Sequence, residues 1–554
     1  MLSKYLDRID FSSYEDFKKN YKVKTPGDFN FGFDIVDGWA EEKGDNRALL
    51  WCDDDGNEKC FTFADMKKLS AKAANFFSEK GLKKGDVAML ILRRRWEYWV
   101  AAVGLMKLGV TFIPGTLQLT KKDITYRANA AGVSAIVCVD DEYVISQVEE
   151  SKPDMPGVKL YALVDNVRRD GWVDFNSEVE KCSDVFLKTP GSAGGTDIMQ
   201  IYFTSGTTGM PKMVMHNYLH PLGHIVTAKY WQCVEENKLH MSVSDSGWAK
   251  FGWGKIYGQW ICGATVFCYD MKKFVPKNLL SVMEKYRLTT FCAPPTMYRF
   301  MLQEDVASYD LSSIKHWCTA GEPLNPEVFN RWEKLTGGKI HTGFGQSEGS
   351  VLLADFPWFN PIPGAMGKPS PIYDIHLINS DGEDCENGEE GEIVIKDVKN
   401  NPPVGLFVGY YKNPEETEKA MAGGDYNLKD VAWRDNNGYY WFVGRHDDVI
   451  KCSGYRIGPF EVESALIEHP AVLECAITAA PDPIRGQVVK ATVVLTKGYR
   501  PSDELVRELQ DHVKHATAPY KYPRIVEFVS ELPKTLGGKI KRAQIRQESE
   551  KNTK

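Results

Sequence analysis

Short runs of apolar residues alternate with helical patterns through the first 300 residues of the chain. The run 87–92 follows the turn pair Gly85-Asp86 and predicts a buried strand, and residues 96–108 have the apolar spacing of a helix that ends at Gly109. Strands of the same kind are predicted at 111–113, 135–139, 160–164 and 200–203. Strands that alternate with helices over short connections are typical of parallel α/β architecture.

A different pattern begins near residue 430. The turn cluster 435–438, Asp-Asn-Asn-Gly, separates two apolar runs and predicts a hairpin. Beyond residues 444–448 the pattern predicts a helix at 459–468, strands at 473–478 and 488–495, and a helix at 502–515. We therefore expect an α/β large N-terminal domain over residues 1–446, with parallel or mixed sheets, flanking helices and a β-rich part, followed by a small α+β C-terminal domain over residues 447–554.

Composition and charge narrow the class of protein. The 554 residues are 43% apolar, and 68 Lys and Arg against 75 Asp and Glu leave a net charge of −7, which argues against a protein that coats nucleic acid. The first ten residues carry charges where a secretory signal is apolar, which argues against such a signal. The most apolar long stretch, 100–119, is interrupted by Lys107 and Pro114, which argues against a membrane span. Twelve cysteines without a C-x-x-C pair predict free thiols. We expect a cytoplasmic protein with small-molecule partners, no nucleic acid and no integral membrane contact, and an oligomer is compatible with the sequence.

The most informative stretch is residues 202–212, Tyr-Phe-Thr-Ser-Gly-Thr-Thr-Gly-Met-Pro-Lys. A predicted strand leads into a loop of glycines and hydroxyl residues that ends in a lysine, so backbone N–H groups, hydroxyls and a cation are available to an anion. This chemistry suits a polyphosphate. The loop is not a Walker loop, because Gly-Lys-Ser/Thr is absent from it.

This loop resembles the phosphate loop of the adenylate-forming (AMP-binding) enzymes, which include acyl-CoA synthetases, peptide-synthetase adenylation domains and luciferases. Four further segments resemble motifs of that family in the same order along the chain. They are residues 320–323, 343–349, 430–448 and 532–540. The resemblance therefore covers nearly the whole chain, and it is greatest for the medium-chain acyl-CoA synthetases.

Residues 343–349 resemble the family's aromatic-Gly-Gln-Thr-Glu motif. The resemblance implies that Phe344 packs near the adenine, that the hydroxyl of Ser347 approaches the α-phosphate, and that Glu348 binds magnesium. Thr204 is the second candidate metal ligand. Serine stands where the family usually has threonine, and the hydroxyl is kept. A solvated loop carboxylate is the alternative for Glu348.

Residues 320–323 resemble the segment whose backbone lies against the adenine, although the same residues also suit an ordinary turn. Asp430 and Arg445 match the aspartate and arginine that bind the ribose, and Lys429 stands where the family usually has glycine. The ATP-binding residues that the resemblance implies are Thr204, Ser205, Gly206, Thr207, Thr208, Gly209, Lys212, Gly321, Glu322, Pro323, Thr342, Gly343, Phe344, Gly345, Gln346, Ser347, Asp430, Arg445 and Lys539.

Residues 532–540 resemble the C-terminal loop that carries the family's catalytic lysine, and that position is Lys539. With Lys212 and Glu348, Lys539 completes the implied catalytic set. For the neighbouring Lys534 a solvated basic tail is the preferred interpretation. The resemblance also implies that the C-terminal domain is mobile and turns about a hinge aspartate, which is Asp447.

The same resemblance implies a second face for coenzyme A. The candidate CoA-binding residues are Ser453, Gly454, Tyr455, Arg456 and Arg485. Glycine leaves a narrow path for pantetheine, and guanidinium groups pair well with phosphates. The alternative for either arginine is a surface salt bridge.

The acyl pocket is assigned to Trp248, Gly252, Trp253 and Gly345. Gly345 stands where acetate-specific relatives carry a tryptophan that closes the pocket, so glycine is expected to leave room for a larger acid. Residues 246–253 resemble the acyl-pocket segment of medium-chain acyl-CoA synthetases. Each tryptophan is equally compatible with an ordinary core position.

The resemblance implies an ATP-dependent acyl-CoA synthetase that uses ATP, Mg²⁺ and coenzyme A. A carboxylate attacks the α-phosphorus of ATP, and a thiol then displaces AMP from the acyl-adenylate. The expected acid is medium-chain, branched or aromatic rather than acetate. One alternative is an adenylating enzyme that passes the acyl group to the phosphopantetheine of a carrier protein, and another is a non-catalytic nucleotide-binding protein of the same fold.

Overall fold

The computed structural model describes residues 1–165, 168–204, 210–452, 455–482, 485–534 and 540–552. Of residues 550–552 it describes the backbone alone. The helices are α1 (Tyr14–Asn20), α2 (Gly38–Lys43), α3 (Phe63–Glu79), α4 (Glu97–Leu108), α5 (Lys121–Ala131), α6 (Glu142–Ser151), α7 (Phe175–Lys181), α8 (His220–Gly223), α9 (Ala249–Lys255), α10 (Tyr257–Ile261), α11 (Pro276–Tyr286), α12 (Pro295–Met301), α13 (Pro326–Thr336), α14 (Pro414–Ala420), α15 (Pro459–Ile467), α16 (Asp503–Ala516) and α17 (Arg542–Asn552).

The strands are β1 (Arg47–Asp53), β2 (Glu58–Thr62), β3 (Val87–Ile91), β4 (Thr111–Pro114), β5 (Val133–Cys138), β6 (Leu160–Leu163), β7 (Val173–Asp174), β8 (Ile198–Thr204), β9 (Lys212–Asn217), β10 (Leu239–Ser242), β11 (Thr265–Asp270), β12 (Thr290–Ala293), β13 (His316–Ala320), β14 (Ile340–Phe344), β15 (Leu353–Ala354), β16 (Lys368–Pro369), β17 (Ile375–Ile378), β18 (Glu390–Ile395), β19 (Gly409–Tyr410), β20 (Tyr426–Arg434), β21 (Tyr440–Arg445), β22 (Ile450–Cys452), β23 (Tyr455–Ile457), β24 (Val472–Asp482), β25 (Gly486–Leu495) and β26 (Ile525–Val529).

The first sheet contains the parallel strands that the apolar runs predict. Its order is β19-β9-β8-β4-β3-β5-β6-β7, parallel from β8 to β7 and antiparallel at β9 and β19. Helix α4, which is buried along almost its whole length, ends at Gly109 in the left-handed conformation (φ 85°), as predicted. The antiparallel return of β9 brings Lys212 opposite Thr204, the last residue of β8.

The second sheet has the order β16-β15-β14-β13-β12-β10-β11-β1-β2. Its six middle strands, β14 to β1 in this order, are parallel, whereas β2, β15 and β16 are antiparallel. Ala320 at the end of β13 pairs with Gly343 near the end of β14. The segments 320–323 and 343–349 therefore leave the sheet side by side, at the carboxyl edge where α/β proteins bind ligands.

A third, antiparallel sheet has the order β17-β18-β20-β21. The predicted hairpin is its β20–β21 pair, and the register places Asp430 opposite Arg445. This sheet is the predicted β-rich part of the N-terminal region.

The C-terminal residues form their own sheet, β23-β22-β25-β24, with β26 beside β25. It encloses a separate core that includes Ile457, Val462, Ile477, Val493 and Leu509. Helices α15 and α16 and strands β24 and β25 lie where the sequence predicts them, which confirms the α+β class of this part. The boundary at 446/447 stays a prediction. In the described part of the chain, no helix has the length and apolar character needed to cross a membrane.

Candidate functional site

The ends of the predicted phosphate loop lie at the carboxyl edge of the first sheet. Thr204 and Lys212 are paired across β8 and β9, and residues 205–209, which include the other loop candidates, lie outside the described residues. Lys212 Nζ is 2.5 Å from Glu416 Oε1 and lies 4.9 Å from the centre of the Tyr410 ring. The hydrogen bond from Lys212 lowers the pKa of Glu416. A phosphate that binds Lys212 therefore competes with the Glu416 carboxylate.

Glu348 follows β14 and faces the same region. The Tyr410 hydroxyl donates to Glu348 Oε1 at 3.2 Å, so Tyr410 contacts both this carboxylate and Lys212. Burial raises the pKa of Glu348 although Tyr410, Lys212 and Arg445 favour its ionised form. A partly desolvated carboxylate gains from a cation, and this environment does not suit the solvated loop position considered as the alternative.

Glu348 and the Thr204 hydroxyl are hard oxygen donors, which is the donor set that Mg²⁺ takes when it also binds substrate phosphates. No group of three or more His, Cys, Asp or Glu side chains suited to a metal is found among the residues that the structure describes. The two oxygen donors would fit a magnesium ion that is also bound by the phosphates of a nucleotide.

The candidate ribose pair is held by a hydrogen-bond network around Gln346. Gln346 Nε2 donates to Asp430 Oδ2 at 2.6 Å and to the Leu428 carbonyl at 2.8 Å, and the Tyr426 hydroxyl donates to Gln346 Oε1 at 3.0 Å. Arg445 Nη1 lies 3.5 Å from Asp430 Oδ1. The network holds the Asp430 carboxylate beside the 343–349 segment. Gln346 therefore orients Asp430 by a hydrogen bond, in addition to being the chain neighbour of Ser347.

The segment after β13 is held from the predicted acyl region. Lys250 Nζ donates to the Ala320 carbonyl at 2.8 Å. Gly321 has φ 99°, and a Cβ at this position would lie 3.1 Å from the same amine. Glu322 accepts a hydrogen bond from the Thr296 hydroxyl at 2.7 Å, and Pro323 follows it. The sequence does not reveal the contact of Lys250 with Ala320, because the two residues are far apart in the chain.

Thr342, Gly343 and Phe344 form the end of β14, where Thr342 N donates to the buried Asp355 at 2.8 Å. Phe344 lies half-buried, 6.5 Å from the ring centre of Phe442. The Ser347 carbonyl accepts a hydrogen bond from His216 Nε2 at 2.7 Å. The structure thus brings together the described members of the nucleotide set from three sheets.

The acyl-pocket candidates Gly345 and Trp253 are in contact. A Cβ atom at position 345 would overlap the Trp253 indole and would lie 2.5 Å from the Ser350 carbonyl oxygen. Gly252 is equally close to its neighbours, since a Cβ there would lie 2.7 Å from the Tyr202 hydroxyl. Trp248 precedes α9 and is half-buried. Gly345 is therefore packed directly against the Trp253 indole, and its role in leaving room for a larger acid stays a prediction.

The candidate coenzyme A residues that the structure describes lie at one end of the C-terminal sheet. Cys452 pairs with Tyr455 in β23 and with Gly486 in β25, which brings Tyr455 and Arg456 near Arg485. Ser453 and Gly454 lie outside the described residues. Within the part described, neither arginine takes part in an ion pair, so the surface salt bridge considered as their alternative is not observed.

Lys539 also lies outside the described residues, and its flanks at Lys534 and Ile540 form an antiparallel bridge. Lys534 Nζ lies 2.8 Å from both oxygens of Glu474, which is 3.7 Å from Arg299 Nη2. The interpretation of Lys534 as a solvated tail residue is therefore wrong, because a buried carboxylate holds it. Asp447, the candidate hinge, lies 3.9 Å from Arg445 Nε.

Comparison with known proteins places this arrangement in a family. The AMP-binding enzyme family model matches residues 36–411, and the model of the AMP-binding enzyme C-terminal domain matches residues 461–539. The chain belongs to the AMP-binding enzyme family. Acyl-coenzyme A synthetase ACSM3, mitochondrial, of Homo sapiens is 42% identical over 548 residues, which are 97% of this chain and 92% of that protein.

Two solved structures are similar over almost the whole chain. An anthranilate CoA ligase in complex with anthranoyl-AMP has a TM-score of 0.87 at 26% identity, covering 95% of this chain and 98% of that one. A benzoate CoA ligase from Burkholderia xenovorans LB400 has a TM-score of 0.81 at 26% identity, covering 94% of this chain and 100% of that one. The prediction of an ATP-dependent acyl-CoA synthetase is confirmed.

The expectation of a cytoplasmic protein is wrong, because the curated relatives are named as mitochondrial proteins. The charges in the first ten residues argue only against a secretory signal, and free thiols are equally at home in the mitochondrial matrix. Neither observation distinguishes the two compartments.

Proposed function

We propose that this chain converts a medium-chain, branched or aromatic monocarboxylic acid, ATP and coenzyme A into the acyl-CoA, AMP and pyrophosphate, and that it does so in the mitochondrial matrix. The observation that carries the proposal is the convergence of Lys212, Glu348 and the Asp430–Arg445 pair around Tyr410 and Gln346. A cation, a desolvated carboxylate and a ribose acceptor, brought together from three sheets, match the phosphates, the metal and the ribose of a nucleoside triphosphate complex.

In the first step, an oxygen of the substrate carboxylate attacks the α-phosphorus and the bond to pyrophosphate breaks. Lys212 leaves Glu416 for the phosphates, Asp430 accepts from the ribose hydroxyls, and the Ser347 hydroxyl approaches the α-phosphate. Lys539 bridges the carboxylate and the α-phosphate. Glu348 and Thr204 would hold a magnesium ion, which would supply positive charge opposite the pyrophosphate.

In the second step, the thiol sulfur of coenzyme A bonds to the acyl carbon, the thiol proton is lost, and the bond to AMP breaks. The C-terminal domain turns about Asp447 to replace the face that carries Lys539 with the face of Tyr455. Arg456 and Arg485 bind phosphates of coenzyme A. Arg456 is exposed and forms no ion pair of 4 Å or less with a described residue, although its charge acts on the Glu390 carboxylate.

The proposed class of substrate acid is inferred from the side chains that lie near Gly345. The Trp253 indole lies against Gly345, the Tyr202 and Tyr257 side chains lie against the neighbouring Gly252, and the amine of Lys250 is held by the Ala320 carbonyl. Apolar, aromatic walls favour an uncharged acyl chain over a second carboxylate. The similarity to an anthranilate and a benzoate CoA ligase supports the inclusion of aromatic acids.

The test is pyrophosphate release from ATP and Mg²⁺ across acetate, butyrate, 2-methylbutyrate, hexanoate, octanoate and benzoate, each with and without coenzyme A. We expect turnover that is greatest beyond acetate and that requires coenzyme A. Turnover with acetate alone would contradict the proposed acid class. AMP release with a phosphopantetheinyl carrier protein but not with free coenzyme A would favour the carrier-protein alternative.

The Trp253→Leu variant tests the pocket wall. A smaller side chain beside Gly345 enlarges the pocket, so the ratio of kcat/KM for octanoate to kcat/KM for butyrate should rise by about tenfold, the worth of one or two methylenes. Trp433→Leu, in the third sheet, is the matched control and should leave the ratio unchanged. An unchanged ratio in Trp253→Leu would remove Trp253 from the acyl pocket.

A further inference from the structure

Three histidines beneath the 343–349 segment have no part in the chemistry described so far. His216 lies on β9, His220 begins α8, and His224 follows it; all three are at most 1% exposed. The ring centres of His216 and His220 are 3.7 Å apart, and those of His220 and His224 are 4.6 Å apart. We call these three residues the histidine column.

Hydrogen bonds fix the proton on each ring of the column. His220 Nδ1 lies 3.1 Å from the Gly405 carbonyl, which only accepts, so this nitrogen carries the hydrogen. The bare Nε2 of His220 accepts from His224 Nε2 at 3.1 Å. His224 Nδ1 is then bare and accepts from the Thr227 hydroxyl at 3.1 Å. Since these nitrogens bond each other, the described column leaves no converging lone pairs for a metal.

At one end of the histidine column, His216 contacts the backbone of the 343–349 segment. His216 Nε2 lies 2.7 Å from the Ser347 carbonyl and therefore carries the hydrogen that it donates. Burial lowers the pKa of His216 to about 4, and burial also lowers the pKa values of His220 and His224 well below the ordinary value of a histidine. All three rings are neutral at physiological pH, so the donor to Ser347 does not change with pH.

The carbonyl of Ser347 immediately precedes Glu348 in the chain. Other hydrogen bonds of this segment are the turn bond from Gly349 N to Gln346 O at 3.1 Å, the bond from Phe407 N to Glu348 O at 2.6 Å, and the bond from Ser350 N to the Tyr373 hydroxyl at 2.9 Å. His216 is the side chain that holds the peptide between Ser347 and Glu348 from below. A rotation of that peptide would turn both side chains away from the phosphates.

We propose that His216 is a positioning residue for adenylation: its Nε2–H holds the Ser347–Glu348 peptide, and the His220 ring, 3.7 Å away and inclined by 32°, fixes the orientation of the His216 ring. This inference rests on the proposed roles of Ser347 and Glu348. It assigns no contact with substrate to His216. Residues that orient groups bound to a metal or a phosphate typically contribute about 10- to 100-fold to activity.

The test compares His216→Phe, which keeps an aromatic ring but has no donor, with His216→Gln, whose amide reaches the position of Nε2. In His216→Phe we expect ATP–pyrophosphate exchange to fall by about 10- to 100-fold and its Mg²⁺ requirement to rise. Thioester formation from supplied acyl-adenylate should stay within about threefold of the wild type, because that step does not use the pyrophosphate site. His216→Gln should recover exchange to within about threefold.

His240→Phe is the control, since His240 is another fully buried histidine, bonded to Thr290 through Nδ1 and remote from Ser347. It should lower the melting temperature without raising the Mg²⁺ requirement. Equal loss of both half-reactions in His216→Phe, or none, would overturn the proposal. If His216→Phe does not fold, a folded His216→Gln with more than about a tenfold loss of exchange overturns it. Wild-type protein without exchange would instead contradict the proposed function.

Discussion

Lys429 has a left-handed backbone conformation, with φ 61°, immediately before the candidate ribose ligand Asp430. Related enzymes usually have glycine at this position, and the positive φ explains that preference because glycine has no Cβ to clash with its own carbonyl. Lys429 N donates to Asn427 Oδ1 at 2.8 Å, and the Lys429 carbonyl accepts from His446 N at 3.0 Å. These bonds hold the strained residue within β20, beside the end of β21.

The Lys429→Gly substitution should therefore stabilise the protein. Glycine removes the conformational strain that a left-handed lysine has in the folded protein, and this gain is larger than the stability lost because glycine makes the unfolded chain more flexible. We therefore expect the free energy of unfolding to increase by about 0.5–1 kcal/mol. Urea denaturation measures it. Lys429→Ala is the control, because it removes the same side chain but keeps Cβ and should give no gain. An equal gain in both variants would place the effect in the side chain instead of the backbone.

Glycines close to tryptophans show what the sequence does not reveal at this scale. The sequence predicts a nucleotide site at Gly343 and an open acyl pocket at Gly345, but a Cβ at Gly343 would overlap the Trp231 ring, as one at Gly345 would overlap Trp253. Close packing of this kind depends on residues about a hundred positions away, which no local pattern contains. The chemistry of the segment was predictable from its residues, and the reason for its glycines was not.

At the scale of elements, the apolar runs predicted the parallel strands well because a buried parallel strand is apolar on both faces. The hairpin at 435–438 was also predictable, since its turn residues determine the connection. The antiparallel returns β9 and β19, which place Lys212 and Tyr410 in the site, carry no such signal. Their direction is set by pairing with β8 rather than by their own residues.

Strand β14 is supported by a carboxyl group that the sequence gave no reason to single out. Asp355 follows β15, is 1% exposed, and accepts the N–H of Thr342 at 2.8 Å. Burial raises the pKa of Asp355 to about 8. The group is protonated in the folded protein at neutral pH, whereas it is ionised in the unfolded chain above about pH 4.

Because the folded pKa of Asp355 is the higher one, its contribution to stability is complete below about pH 4 and is lost as the pH rises to about 8. Asp355→Asn keeps a neutral acceptor, so it should match the wild type near pH 4 and exceed its melting temperature at pH 8. The loss of unfolding free energy with rising pH that Asp355 causes, and that Asp355→Asn removes, is at most about 1.4 kcal/mol per pH unit. Thermal unfolding between pH 4 and 9 measures it, with exposed Asp381→Asn as control. Parallel curves would show that Asp355 is ionised in the fold.

At the scale of the whole molecule, the C-terminal sheet contacts the region that holds the candidate adenine segment. Arg299 lies on α12, where its Nη2 donates to the Thr296 hydroxyl at 3.2 Å, and Thr296 in turn donates to Glu322. The same Arg299 nitrogen lies 3.7 Å from Glu474 on β24, and Glu474 also binds Lys534. One buried carboxylate therefore links the adenine segment to the flank of the segment that carries Lys539.

This link should favour the domain orientation in which adenylation occurs. Glu474→Gln removes the charge that attracts both cations, and breaking a buried ion pair leaves its partners uncompensated. We expect ATP–pyrophosphate exchange to fall by about three- to tenfold while thioester formation from supplied acyl-adenylate is unchanged or faster, because the released domain reaches the second orientation more readily. Glu527→Gln is the matched control: its partner Lys490 lies in the same sheet, so neither half-reaction should change. Equal losses in both half-reactions of Glu474→Gln, or a loss in thioester formation alone, would show that the three charges stabilise the fold without selecting an orientation.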